Sequence, residues 1–284
     1  MIWLNGRLTS RETPHFDASD RGLLLGDGLF ETMRAYGGRV FRLDAHLNRL
    51  AAGLKRIGVP LTLDRGQIAG AITETLAANG LAGKDGSLRL TVTRGPGPRG
   101  LMPPVEVRPT VLISAHPLAP PPRAPATAIV TAIRRNEHSP LANLKTLSYL
   151  EHVLARQEAS SRGADEALFL NTAGRLADAS SANLFLVVRG GGLVTPPVEE
   201  GVLPGVTRAA VLELATALGI RAEERPIEIG KLRAAAETFL TNTLIQVRPL
   251  VRVDGRTVGA GEPGPITRRI QDAYRDLVRR EVGV

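Results

Sequence analysis

Five prolines (Pro117, Pro120, Pro121, Pro122 and Pro125) crowd into residues 116–126, and no other feature restricts the fold as strongly. Proline fixes φ and lacks an N–H donor, so such a run is excluded from helices and central strands and reads as a linker. A chain of 284 residues also exceeds the usual size of one domain. The expected organisation is a small N-terminal α/β domain (1–115), a proline-rich linker (116–126) and a larger C-terminal domain (127–284).

Local patterns fill in both halves. Ile2-Trp3-Leu4 followed by Asn5-Gly6 predicts a hairpin, and 29–36 followed by Gly37-Gly38 and Arg39-Val40-Phe41 predicts another. Asp44 is a candidate N-cap for a helix to about Ile57, and a second helix is expected over 65–78, closed by Asn79-Gly80. Strands are expected at 88–93 and 110–113, then at 127–133, 166–170, 183–188 and 238–241. Helices are expected at 144–159, 206–218 and 266–282. The fold class is therefore mixed α/β in two domains.

The bulk properties remove several functions. The longest apolar runs, such as Leu184-Phe185-Leu186-Val187-Val188, fall far short of the roughly 20 residues that cross a bilayer. No basic start leads into an apolar run, so the cytoplasm is the expected compartment. With no cysteine there are no disulfides, thiolate metal sites or cysteine nucleophile, and the five histidines lack a zinc spacing. The net charge of +8 is spread among alternating Arg and acidic residues, which suits a solvated surface better than a nucleic-acid footprint.

The basic residues carry a sharper signal. Only four of the 36 are lysines: Lys55, Lys84, Lys145 and Lys231. Arginine stays charged and is a poor amine nucleophile, whereas a desolvated lysine sheds its proton and forms a Schiff base. Lys145 lies in Ser139-Pro140-Leu141-Ala142-Asn143-Leu144-Lys145-Thr146-Leu147, an apolar stretch expected to open a helix, where burial lowers an ammonium pKa. A helix-start lysine with its stem on apolar surface fits the same pattern. The other three have charged or glycine neighbours and read as surface.

Phosphate-binding features are present but generic. Gly201-Val202-Leu203-Pro204-Gly205-Val206-Thr207-Arg208 leads into a helix, where free N–H groups face an anion. Thr241-Asn242-Thr243 ends a strand, and Arg49 on the first helix adds a possible charge-assisted contact. A cap, a turn and a solvated arginine explain these equally well. There is no Walker loop, and Gly26-Asp27-Gly28 lacks the third glycine of a dinucleotide fingerprint.

In order along the chain, the pieces resemble the fold-type IV pyridoxal-phosphate enzymes, the class IV aminotransferases with branched-chain and D-amino-acid transaminases and aminodeoxychorismate lyase. The matching elements are Asp20-Arg21-Gly22, Gly26-Asp27-Gly28-Leu29-Phe30-Glu31-Thr32, His46-Leu47-Asn48-Arg49-Leu50, Thr93-Arg94-Gly95 with Arg99-Gly100, the Lys145 segment, Ala182-Asn183-Leu184-Phe185, Leu203-Pro204-Gly205-Val206-Thr207-Arg208 and Thr241-Asn242-Thr243.

The resemblance implies a pyridoxal 5'-phosphate cofactor held between the two domains as a Schiff base on Lys145, which also shuttles the substrate proton. It places Arg49, Val206, Thr207, Asn242 and Thr243 at the phosphate and Phe30 beside the substrate. It also implies a homodimer, with Arg99 on a loop that reaches the neighbouring subunit's substrate carboxylate. The expected activity is amino transfer between a branched-chain or D-amino acid and a 2-oxo acid.

Three positions depart from the pattern. Asp178 stands where the family places Glu against the pyridine nitrogen, shorter by about 1.5 Å. Phe30 and Leu101 replace the Tyr and His of the D-amino-acid enzymes, which leaves that carboxylate trap incomplete. Conversely, Leu141-Ala142-Asn143-Leu144-Lys145-Thr146-Leu147 and Thr241-Asn242-Thr243-Leu244-Ile245 are closest to the lyase, which eliminates pyruvate to leave 4-aminobenzoate. A non-catalytic basic binding module is the alternative from another class.

Overall fold

A computed structural model describes residues 1–122 and 124–283; residue 123, within the expected linker, and residue 284 lie outside the described residues. The chain forms two compact units. The first comprises Met1–Ala119, Leu144–Ser148 and the end of the chain from Arg280; the second comprises Pro120–Asn143 and Tyr149–Arg279. Lys145 thus packs with the N-terminal unit, although its place in the sequence suggested the C-terminal one. No helix among the described residues is long and apolar enough to cross a membrane.

The elements of the first unit are β1 (Ile2–Leu4), β2 (Arg7–Thr9), α1 (Arg21–Leu25), β3 (Gly28–Tyr36), β4 (Arg39–Val40), α2 (Leu43–Arg56), α3 (Arg65–Ala78), β5 (Gly86–Thr93) and β6 (Thr110–Pro117). The strands form one antiparallel sheet in the order β2-β1-β6-β5-β3-β4. Both expected hairpins form, β1–β2 around Asn5 and Gly6 at positive φ and β3–β4 around Gly37 and Gly38. Leu29, Met33, Leu88 and Leu90 of the sheet join Leu47, Leu50 and Leu54 of α2 and Ile68, Ile72 and Leu76 of α3 in a single core.

Helix α3 spans the residues expected, and Asp64 caps it in a reciprocal box with Gln67. Helix α2 differs: it starts at Leu43, and its N-cap is Arg42 at φ 52° without a side-chain cap. The β3–β4 hairpin feeds the helix too abruptly for an Asp44 cap, and that carboxylate instead accepts from Arg65 at 3.1 Å. Strand β6 also continues through His116 and Pro117, which the proline run had seemed to forbid. Pro117 ends the strand, where the missing donor costs little.

The second unit contains β7 (Ala126–Arg135), α4 (Leu150–Ser161), β8 (Glu166–Asn171), β9 (Leu176–Ala179), β10 (Asn183–Val187), β11 (Leu193–Thr195), α5 (Val206–Ala217), β12 (Ala222–Glu224), α6 (Ile229–Arg233), β13 (Glu237–Asn242), β14 (Gln246–Val253) and β15 (Arg256–Thr257), followed by α7 (Pro265–Val282). Its mixed sheet runs β12-β11-β10-β13-β14-β7-β8-β9, with β15 on β14. Strands β7 and β8 are parallel, and α4 crosses between them, burying Ala155 and Ala159 against Ile129, Ala167 and Phe169.

The helix expected over 144–159 begins only at Leu150. Residues 144–149 are irregular because their backbone has another partner, described below. Strand β14 was hidden by Pro249, which pairs with Phe239 on one side; pairing with β7 on the other side starts only at Leu250.

Candidate active site

In the first unit, the Gly28–Phe30 half of β3 lies beyond the reach of β4, which pairs only with Ala35 and Tyr36. The Lys145 segment takes that open edge. Phe30 N–H donates to Lys145 O at 2.9 Å, Leu147 N–H donates to Gly28 O at 3.0 Å, and Leu29 bridges Thr146. Phe30 and Lys145 therefore stand opposite one another, on the face away from the Leu29 core. Lys145 Nζ lies 4.3 Å from the Phe30 ring centroid, and the Arg89 guanidinium lies 3.6 Å from the same centroid. Gly28 permits the close approach, because a Cβ there would sit 2.5 Å from Val92 O and 3.0 Å from Leu147 Cδ1.

The other face of β3 carries Glu31, which is buried. It accepts from His46 Nδ1 at 2.8 Å, from Arg49 Nε at 2.8 Å and from Arg49 Nη2 at 2.6 Å, the two partners being one turn apart on α2. Burial pushes the Glu31 pKa up, but Arg49 and His46 outweigh it and hold the carboxyl below its ordinary value. Burial, with the nearby Arg49 and Lys145 charges, lowers His46 despite the opposing pull of Glu31. Arg49 is therefore a fixed, charge-compensated guanidinium. The sequence marked Arg49; Glu31 and His46 were visible only as motif letters.

In the second unit, Asp178 on β9 is buried, and burial pushes its carboxyl up to about 6. Leu203 N–H and Asn183 Nδ2, each donating at 2.8 Å, together with the Arg135 and Arg208 charges, pull the other way without matching the desolvation. Asn183 Nδ2 also donates to Leu203 O at 2.9 Å. Gly205, before α5, has no room for a side chain, since a Cβ would lie 2.0 Å from Asn183 Oδ1.

Val206 and Thr207 form the buried first turn of α5, whose leading N–H groups lack intrahelical acceptors. Asn242 Nδ2 donates to Ser181 O at 2.9 Å, and its Oδ1 accepts from the backbone of Leu244 and Ile245, holding the turn that carries Thr243. Thr241 Oγ1 is buried and has no hydrogen-bond partner among the described residues. The structure thus gathers Lys145, Phe30 and Arg49 in one unit and Asp178, Val206, Thr207, Asn242 and Thr243 in the other. Lys55, Lys84 and Lys231 are exposed.

Arg99 is exposed on the loop after β5, which Arg21 holds from beneath. Arg21 is buried, pairs with Asp27 at 2.9 Å and donates to the carbonyls of Gly100, Leu101 and Met102. The loop backbone is anchored while Leu101 and Met102 are about four-fifths exposed.

A lysine amine packed on an aromatic ring thus lies in the first unit, and a buried carboxylate of raised pKa lies in the second. Residues 28–253 match the family described as Amino-transferase class IV. The chain is 35% identical over 278 residues to a putative branched-chain-amino-acid aminotransferase of Methanocaldococcus jannaschii, covering 97% of this chain and 96% of the relative. It is 32% identical to the D-alanine aminotransferase of Bacillus licheniformis, covering 99% and 98%. The crystal structure of 4-amino-4-deoxychorismate lyase from Pseudomonas aeruginosa superposes with a TM-score of 0.85 at 35% identity, covering 97% of this chain and 98% of that one. The chain belongs to the class IV aminotransferase family.

Proposed function

We propose that this chain is a pyridoxal 5'-phosphate-dependent aminotransferase that moves an amino group between a branched-chain or D-amino acid and a 2-oxo acid. Pyridoxal 5'-phosphate is the family's cofactor; when bound it supplies an aldehyde that receives the amino group and a ring that withdraws electrons from the reacting carbon. The residues present fit such a group. Thr241 leaves a buried hydroxyl without a partner among the described residues, the leading N–H groups of α5 lack intrahelical acceptors, and the raised pKa of Asp178 marks a carboxylate whose charge a cationic partner would stabilise.

In this reading Lys145 holds the cofactor through its amine and, once released, carries a proton on Nζ to and from the substrate's α-carbon. Phe30 walls that amine on one side. Arg49, Val206, Thr207, Asn242 and Thr243 hold the phosphate. Asp178 keeps the ring nitrogen protonated by Coulomb attraction in a desolvated site. The chain works as a homodimer in which Arg99 binds the substrate carboxylate of the neighbouring subunit. Anchored but exposed Leu101 and Met102, with exposed Leu23 and Leu24 on α1, support a surface that a second copy covers.

The observation that carries this reading is the sheet-pinned Lys145 with Nζ on Phe30. Borohydride reduction followed by peptide mapping tests it: reduced cofactor on Lys145 is expected, and label on Lys55, Lys84 or Lys231 overturns it. Residues 141–147 and the 35% identity to a lyase structure support a second reading, pyruvate elimination from aminodeoxychorismate. A donor screen with pyruvate and 2-oxoglutarate as acceptors, run beside an aminodeoxychorismate assay, separates the two.

A further inference from the structure

Arg135, the last residue of β7, spreads its guanidinium over three partners in the second unit. Nε donates to Gly201 O at 3.2 Å, Nη2 donates to Ala142 O at 2.7 Å, and Nη1 lies 3.0 Å from His152 Nε2. A guanidinium has donors only and stays protonated, so His152 Nε2 must be the acceptor and carries no hydrogen. The ring proton is then on Nδ1, which donates to Ser180 O at 2.9 Å. These contacts fix one tautomer and a neutral ring. Tyr149 stacks on that ring at 4.3 Å and Phe169 meets it edge-on at 5.2 Å, so it cannot turn away.

The anchored points flank Asp178 from both sides. Ser180 follows Asp178 by two residues as β9 leaves the sheet, and Gly201 precedes Leu203, whose N–H donates to Asp178 Oδ2. Gly201 takes φ 86°, and a Cβ there would lie 3.1 Å from Arg135 Cγ, so this turn accommodates the arginine closely. Among the described residues, the guanidinium charges of Arg135 and Arg208 act on the Asp178 carboxylate.

We infer that His152, locked by Arg135 as the neutral Nδ1–H tautomer, is a positioning residue for Asp178, acting through the two backbone points it helps to hold, Ser180 O directly and Gly201 O by way of Arg135. The inference rests on the proposed role of Asp178 toward the ring nitrogen. It makes His152 a determinant of turnover from outside the set that contacts cofactor or substrate.

Three measurements test it. Nitrogen-15 NMR of the apo protein at neutral pH should show His152 with an unprotonated Nε2 and a protonated Nδ1; a protonated Nε2 overturns the inference. The second is a double-mutant cycle of His152→Phe, which keeps the ring packing while removing both hydrogen bonds, with Asp178→Asn, read in kcat and in the cofactor Kd of the apo protein.

His152→Phe is expected to lower kcat on the order of tenfold, the double variant falling well short of the product of the single losses, and His152→Gln to recover part of the loss. If Asp178→Asn is impaired while His152→Phe is silent or multiplies independently, the inference fails and the role of Asp178 stands. If Asp178→Asn turns over like the parent, the ring-nitrogen role fails. The Asp178 carboxyl carbon-13 signal of the apo protein then decides the inference, and a signal unmoved by His152→Phe overturns it.

Discussion

Asp178 is the residue on which chemistry and stability pull in opposite directions. Its carboxyl rises from 3.8 to about 6 because burial outweighs its hydrogen bonds and the neighbouring guanidiniums. A group with a raised folded pKa stabilises the fold below its unfolded pKa and loses that contribution as pH rises through the folded value. The apo protein should therefore gain stability relative to Asp178→Asn as pH falls from 7 through 6 to below 3.8, by about 3 kcal/mol at the low end. Paired chemical denaturation curves check this, and a difference independent of pH contradicts it. In the holoenzyme, Asp178→Asn should keep the cofactor but lose turnover on the order of a hundredfold, about 3 kcal/mol of charge stabilisation, measured in single-turnover kinetics. Asp178→Glu, the family's usual residue, should remain active. The sequence singled out Lys145 through the scarcity of lysine among its basic residues, and Asp178 through the resemblance, five positions before Asn183. Glu31 and His46 escaped notice because their pairing joins β3 to α2, and His152 because its partners lie 17 and 28 positions away.

Elements were legible where one local signal decided them. Asn79-Gly80 marked the close of α3, and Asn5-Gly6 and Gly37-Gly38 gave both hairpins. Expectation failed where a distant partner overrode the local pattern: residues 144–149 have helical composition, yet the unfilled half of β3 claims their hydrogen bonds. Pro249 concealed β14 because proline lacks a ladder donor, and the strand tolerates it because pairing with β7 begins one residue later. The start of α5 supplies a prediction at this scale. Gly205→Ala forces a methyl into Asn183 Oδ1, the same amide that donates to Asp178 and Leu203 O. It should weaken pyridoxal 5'-phosphate binding to the apo protein at least tenfold, checked by equilibrium titration, while Gly230→Ala, which meets nothing within 4 Å, should leave it unchanged.

At the scale of the whole molecule, the proposed dimer makes two claims that one chain alone cannot satisfy. Arg99→Ala should raise KM for carboxylate donors with little loss of cofactor, because the side chain is exposed and its loop backbone is held independently by Arg21. Mixed with a Lys145→Ala variant, it should regain activity in proven heterodimers, since each partner restores the group the other lacks. No recovery in such heterodimers would return Arg99 to its own chain's site. A mixed α/β class was readable from the alternating patterns. The assignment of Lys145 to the first unit was not, because chain position does not reveal which sheet will recruit a segment.

That recruitment has a consequence for how the protein is made. By residue 119 a growing chain has every strand of the first sheet, but the Gly28–Phe30 stretch still lacks the backbone that closes it. Synthesis must continue past Leu147 before those groups find their partners, and during that interval they remain available to any extended stranger. Lys145 and the closing stitch of the N-terminal half are therefore delivered by the same few codons. A fragment ending at residue 119 should aggregate, and adding back a peptide spanning 144–148 should suppress it.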